Sequence, residues 1–233
     1  MKRFLSMISL VCACTLVQAQ TALPPVWQSD TQKEVQVSTR TIAYLPPTRI
    51  VWQETTGESS IQGLENLLLP GNGQADLFDG QITRIKNGAT GKASFLLDFG
   101  RELQGGIQVV SGRSSKKEMK IRVRFGESVS EAMCDITPEN GATNDHAIRD
   151  FYLTLPWLGV AEIGNSGFRF VRIDLEEPDA ELSLKEIRAT FGYRNIPYLG
   201  SFKCDNERLN NIWMTGAYTV HLNMQEYIWD GVK

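Results

Sequence analysis

Apolar and polar positions alternate with a period of two through most of the chain. Met119, Ile121, Val123 and Phe125 fall on one side, and Lys120, Arg122 and Arg124 on the other. That is the pattern of a strand with one buried and one wet face. Phe151, Leu153 and Leu155 repeat it. Ala93 to Phe99 and Ile107 to Val110 are apolar runs bounded by glycine, each short enough for a strand, and Gly167 to Ile173 is a further one. Leu182 and Leu184 alternate, and so do Ile187, Ala189 and Phe191, with a one-residue phase slip that a β-bulge between the two groups explains. Upstream, Glu34 to Ser38 and Arg49 to Gln53 read as strands. Turn signals such as Pro70-Gly71-Asn72-Gly73 and Asn140-Gly141 punctuate the series. Many short strands without long helices between them predict a mainly β fold, a β-sandwich or jelly roll.

The period changes after Pro197. Asp205 is placed to cap a helix, because its carboxylate can accept from orphan backbone N–H groups. Arg208 stands where a capping box needs Glu or Gln, so no such box forms. Leu209, Ile212, Trp213, Gly216, Val220, Met224 and Tyr227 then recur at intervals of three or four. They predict one apolar stripe on a helix of about five to six turns. The stripe contains large aromatics that need partners, and the sandwich is what this chain offers them. The switch of period also marks the start of a new architecture.

At the front, Met1-Lys2-Arg3 is basic and Phe4 to Val17 is mostly apolar. Val17-Gln18-Ala19 then offers small or modest residues at a cleavage point. This is the three-part pattern of a secretory signal peptide, and its apolar core is shorter than the roughly 20 residues of a membrane span. Cys14 stands as a minor alternative, a lipoprotein attachment site. The expected layout is therefore signal peptide 1–19, β-sandwich 20–196 and a helical segment 197–233, in a periplasmic or secreted protein without a stable membrane span. Removing Lys2 and Arg3 leaves 22 basic against 27 acidic side chains, a net of −5 instead of the −3 of all 233 residues. That balance argues against nucleic acid, which needs a basic face. Hydrophobic residues at 42% and charged residues at 22% describe an ordinary globular chain and exclude a disordered tail or a fibre.

Cys134 and Cys204 remain after cleavage, 70 positions apart in a compartment that permits disulfides. Two partly buried free thiols are the favoured reading, with pairing left open. His146 and His221 have no Cys or His beside them, so no zinc site is expected.

An ordered set of motifs resembles a known family. It comprises Leu97-Asp98-Phe99-Gly100, Gly105-Gly106-Ile107, Ser111-Gly112, Arg122 to Glu127, and Gly167 to Arg172. It continues through Gly200 to Asp205, Arg208 to Trp213, Asn223 to Glu226, and Trp229-Asp230-Gly231. From about Trp27 onward the chain resembles the N-terminal part of bacterial α-L-rhamnosidases of glycoside hydrolase family seventy-eight. The resemblance implies a sandwich followed by the first helix of an (α/α)6 barrel. It implies an enzyme that, when complete, releases terminal α-linked L-rhamnose from plant or microbial glycans by inversion, with no organic cofactor. In that family an Asp at the place of Asp230 contacts the sugar. The general acid lies a few residues further on and the general base far downstream, so no catalytic residue is expected within this chain. The sequence Asp230-Gly231-Val232 stands where the family has Asp-Cys-Pro or similar, which leaves the sugar contacts open.

Chemistry can also be weighed residue by residue. Asp230 and Trp229 are the expected substrate-binding residues: a carboxylate for hydroxyls and a flat apolar ring for C–H groups. Glu226 and Asp230, on one helix face, would stand roughly 5–6 Å apart at Cβ. Inversion needs carboxyls about 6.5–9.5 Å apart on opposite sides of the bond, so this pair serves only if the helix ends between them. Tyr227 reads as core of the stripe. Trp157 reads as a sandwich cap or a sugar platform. The arginines 122, 124, 169 and 172 read as a wet face before they read as an acceptor of acidic polysaccharide. Loop 70–76 is explained by turn chemistry, with a cation or ligand contact as the alternative. For the whole chain, the alternative to a rhamnosidase fragment is a non-catalytic carbohydrate-binding sandwich.

Overall fold

The structure is a computed structural model that describes residues 40–77, 80–137, 149–229 and 231. The expected signal peptide, strand 34–38, the turn at Asn140-Gly141, His146 and Asp230 lie outside the described residues. Alternation becomes strand throughout: β1 (Arg40–Leu45), β2 (Arg49–Thr55), β3 (Ser60–Gln62), β4 (Thr83–Asn87), β5 (Ala93–Ser111), β6 (Glu118–Gly126), β7 (Asp150–Pro156), β8 (Gly159–Leu175) and β9 (Ala180–Arg194). A short helix, α1 (Val129–Met133), follows β6, and α2 (Glu207–Leu222) follows β9. The fold is mainly β, and every strand pairing is antiparallel.

Two long strands make the sandwich by passing from one layer to the other. The first half of β5 pairs with β2 and with the last half of β8, Asp98 opposite Phe170. β6 and then β7 extend that layer. The second half of β5 pairs with β9, Ile107 opposite Ala189, and with the first half of β8. β1 and β4 complete the second layer along β9, with β3 beyond β4. The crossing point explains why one strand reads as two in the sequence. Register breaks between Asp98 and Leu103 and again between Gly105 and Ile107. Gly105 has φ 144°, and a Cβ there would stand 2.1 Å from the Thr190 carbonyl oxygen. The glycines that look like strand stops are the bend that carries β5 across.

The inward faces meet in one core. Phe95, Leu97, Leu103, Ile107, Met119, Ile121, Val123, Phe168, Ile173, Leu182, Leu184 and Ile187 are all in it and inaccessible to solvent. Phe168 stands edge to face with Phe99 at 5.5 Å and with Phe125 at 5.0 Å, ring centre to ring centre. Such pairs add about 0.5–1.5 kcal/mol each to simple burial. The phase slip in β9 is a bulge, as expected: Val110 faces Glu186, the next residue Ser111 faces Leu184, and Lys185 is passed over.

The outward arginines are not simply wet. Arg124 is buried, with Nη2 donating to Asp174 Oδ2 at 2.9 Å and Nη1 to Asp135 Oδ1 at 2.9 Å. Asp174 also accepts from Arg172 and from Ser94 Oγ at 2.6 Å. Asp98 is held by Arg49, by Arg169 through both carboxylate oxygens, and by the Gly100 N–H. The carboxylates that meet this arginine cluster come from the sandwich itself. Burial would raise the Asp98 carboxyl, but these donors outweigh it and hold the pKa at about 2, below the ordinary 3.8. Loop 70–76 is likewise tied down, by the Gly73 N–H donating to Glu186 Oε2 at 2.8 Å and by Lys185 reaching Asp76 and the Gln74 carbonyl.

Candidate functional site

The candidate site sits where the chain leaves the sandwich. The cap of α2 is Asn206, one residue later than expected. Its Oδ1 accepts from the N–H groups of Arg208 at 3.0 Å and Leu209 at 3.3 Å. The physical reason lies in the segment before the cap: Asn210, in the first turns of α2, grips the N–H and the carbonyl of Cys204, both at 2.9 Å, and keeps that segment outside the helix. Cys204 and Cys134 are unpaired, partly buried thiols.

The helix is also shorter than its stripe. It ends at Leu222, and Asn223 closes it with its N–H on the Thr219 and Val220 carbonyls at 3.2 Å. A tight turn follows. The Gln225 N–H donates to the Tyr227 carbonyl at 3.0 Å, the Trp229 N–H donates to the Asn223 carbonyl at 3.1 Å, and Met224 pairs with Ile228. Met224 and Tyr227 therefore leave the stripe, and Tyr227 is 71% exposed instead of core. Glu226 lies on this turn beyond the helix end, with its Oε1 accepting from Arg40 Nη1 at 3.0 Å. The two-acid geometry on one helix face does not arise.

What remains of the stripe faces away from the sandwich. At about 100° per residue, Leu209, Ile212, Gly216 and Val220 lie together, while Tyr218 and Leu222 lie on the far side. The far side docks: Leu222 is buried, and the Tyr218 hydroxyl donates to the Glu102 carbonyl at 2.5 Å. The stripe does not dock, with Leu209 47%, Ile212 58% and Val220 58% exposed. The expectation that the stripe packs on the sandwich is therefore corrected. An apolar groove of about 260 Å³ runs beside it, lined by Ile196, Tyr198, Trp213, Ala217, Val220 and Met224. His221 also lines it, with Nε2 on the Arg194 carbonyl at 2.6 Å and Nδ1 facing the Tyr198 hydroxyl at 2.9 Å. A carbonyl only accepts, so Nε2 carries the proton and Nδ1 accepts from Tyr198.

Trp229 is on the turn and 42% exposed, edge to face with Tyr227 at 5.9 Å. The two rings present an aromatic corner. Trp157 sits in the β7–β8 connection, 42% exposed.

Sequence reasoning did not find two groups that matter here. Gln225 is buried under the turn, with Nε2 donating to the Gly192 and Leu222 carbonyls, both at 3.0 Å. Glu102 lies in the β5 crossing beside α2, and its Oε1 is buried with no hydrogen-bond partner. Burial, and then the Glu127 charge, raise its pKa from the ordinary 4.5 to about 8, against the pull of Arg169. The only sequence signal for Glu102 is its place between Gly100 and Gly105, where the strand is irregular. No group of three or more His, Cys, Asp or Glu able to hold a metal ion occurs among the described residues. No described helix is long and apolar enough to cross a membrane.

Comparison with solved structures finds similar folds. A rhamnosidase from Klebsiella oxytoca with rhamnose bound superposes with TM-score 0.57 and 15% identity, over 82% of this chain and 37% of that one. The fold is rhamnosidase-related. A GH78 family rhamnosidase of Bacillus sp. GL1 gives TM-score 0.52 and 21% identity, over 73% of this chain and 16% of that one. A fucose binding module of Streptococcus pneumoniae gives TM-score 0.40 and 13% identity, over 63% and 91% of the two chains. The chain spans little more than a third, or less, of the two rhamnosidases. No family model and no curated protein matches the sequence.

Proposed function

We propose that this chain is the sandwich and leading helix of an exported α-L-rhamnosidase-like glycoside hydrolase. The complete enzyme would hydrolyse terminal α-L-rhamnosides with inversion. The observation that carries the reading is the direction of the α2 stripe. Leu209, Ile212 and Val220 turn away from the sandwich, as they would in a helix shared with a second, helical layer. The rhamnosidase-related sandwich supports the same reading.

In this reading the sandwich is a scaffold, the turn after α2 brings Trp229 to the sugar, and Asp230, next in sequence, is the second sugar contact. Trp229 offers its ring to the apolar C–H face, and Asp230 accepts from hydroxyls. The acid and base of hydrolysis are assigned to no residue of this chain. Two measurements test the proposal. Pure protein ending at Lys233 is expected to release no aglycone from an aryl α-L-rhamnoside, and hydrolysis would place acid and base within it. Calorimetry is expected to show L-rhamnose binding that Trp229→Ala removes. Binding that survives Trp229→Ala would favour the alternative, a carbohydrate-binding sandwich whose site lies elsewhere.

A further inference from the structure

The aromatic turn is held by its main chain and by one buried side chain, while its rings stay outside. Gln225 is 5% exposed, between α2 and the exposed Glu226. Its side chain ties α2 to β9 through the Leu222 and Gly192 carbonyls. Its own carbonyl accepts from Arg194 Nε at 2.9 Å and also from Arg194 Nη2. Its N–H donates across the turn to Tyr227. Oε1 of the same side chain is buried without a partner, which is destabilising. An apolar side chain of similar length would fill the space without that cost. What glutamine adds is direction: two donors aimed at two fixed carbonyls.

We infer that Gln225, with Arg194, is a positioning residue that fixes the Tyr227–Trp229 corner on the end of β9. The inference rests on the reading of Trp229 as a sugar contact for its functional consequence, but not for its structural part. Arg40 and Glu226 add an exposed ion pair at the rim of the same clamp. The end of β9 thereby sets the plane of the Trp229 ring, and with it the pose of a bound L-rhamnose unit.

Amide exchange followed by NMR tests the structural part. In Gln225→Met the Trp229 N–H is expected to exchange at least about tenfold faster, while the Phe125 and Val171 amides of the core keep their rates. Arg194→Lys, which retains the charge but loses the two-nitrogen grip, is the second variant and is expected to act in the same direction. An unchanged Trp229 rate, or equal acceleration of all amides, would overturn the inference. Titration with L-rhamnose, read at the Trp229 indole N–H, tests the consequence. Wild type is expected to shift, with affinity at least about fivefold weaker in both variants. Equal affinity in all three proteins would overturn the positioning role. No shift in wild type would overturn the sugar reading, and the exchange rates would still decide the clamp.

Discussion

Glu102→Gln removes a carboxyl that the folded protein keeps protonated well above its ordinary range. Burial is the largest cause and Glu127 the second, and together they take the pKa from 4.5 to about 8. The folded state therefore binds a proton that the unfolded chain releases. This contribution to stability is complete below pH 4.5 and is lost as pH rises through about 8. The full shift corresponds to about 5 kcal/mol at about 1.4 kcal/mol per pKa unit. The side chain is only partly buried, so screening by solvent reduces this to about 2 kcal/mol. Urea denaturation of both proteins across about pH 5 to about pH 9 reads the difference. Wild type is expected to lose about 2 kcal/mol relative to Glu102→Gln over that range. Parallel stability curves would refute the assignment of a buried, protonated Glu102.

Other expectations follow from the same contacts. Asp98→Asn is expected to cost about 2 kcal/mol at neutral pH, because the lowered carboxyl contributes above pH 3.8 and is lost as pH falls through about 2. The acid limb of the stability curve should flatten in that variant. Phe168→Ala is expected to cost about 3–5 kcal/mol in chemical denaturation, since the ring is fully buried between Phe99 and Phe125. Ile212→Lys, on the exposed stripe, is expected to change stability by less than about 0.5 kcal/mol and to reduce binding of an apolar dye.

Much of the sandwich is legible in sequence because each inward side chain of a strand such as β6 is shielded completely. Met119, Ile121, Val123 and Phe125 are examples, and period two marks them without reference to any partner. β5 reads as two strands because a glycine that ends a strand and a glycine that bends one look alike. Arg124 reads as wet because its charge is visible locally, whereas Asp174, which makes its burial tolerable, comes from β8. The α2 stripe is legible as a stripe, but amphipathicity does not say on which side a partner lies. Tyr218 and the polar contacts of His221 and Gln225 decide the docked face, and these meet carbonyls of β5 and β9 that only the folded chain brings near. Of the two expected sugar contacts, Trp229 lies on an exposed turn, and Asp230 lies outside the described residues.

The most direct test is a crystal of this protein soaked in L-rhamnose. Sugar density stacked on the Trp229 ring beside Tyr227 is the expected result. Density confined to Trp157 or another part of the sandwich, or none at a concentration that saturates binding in solution, would contradict the proposed site.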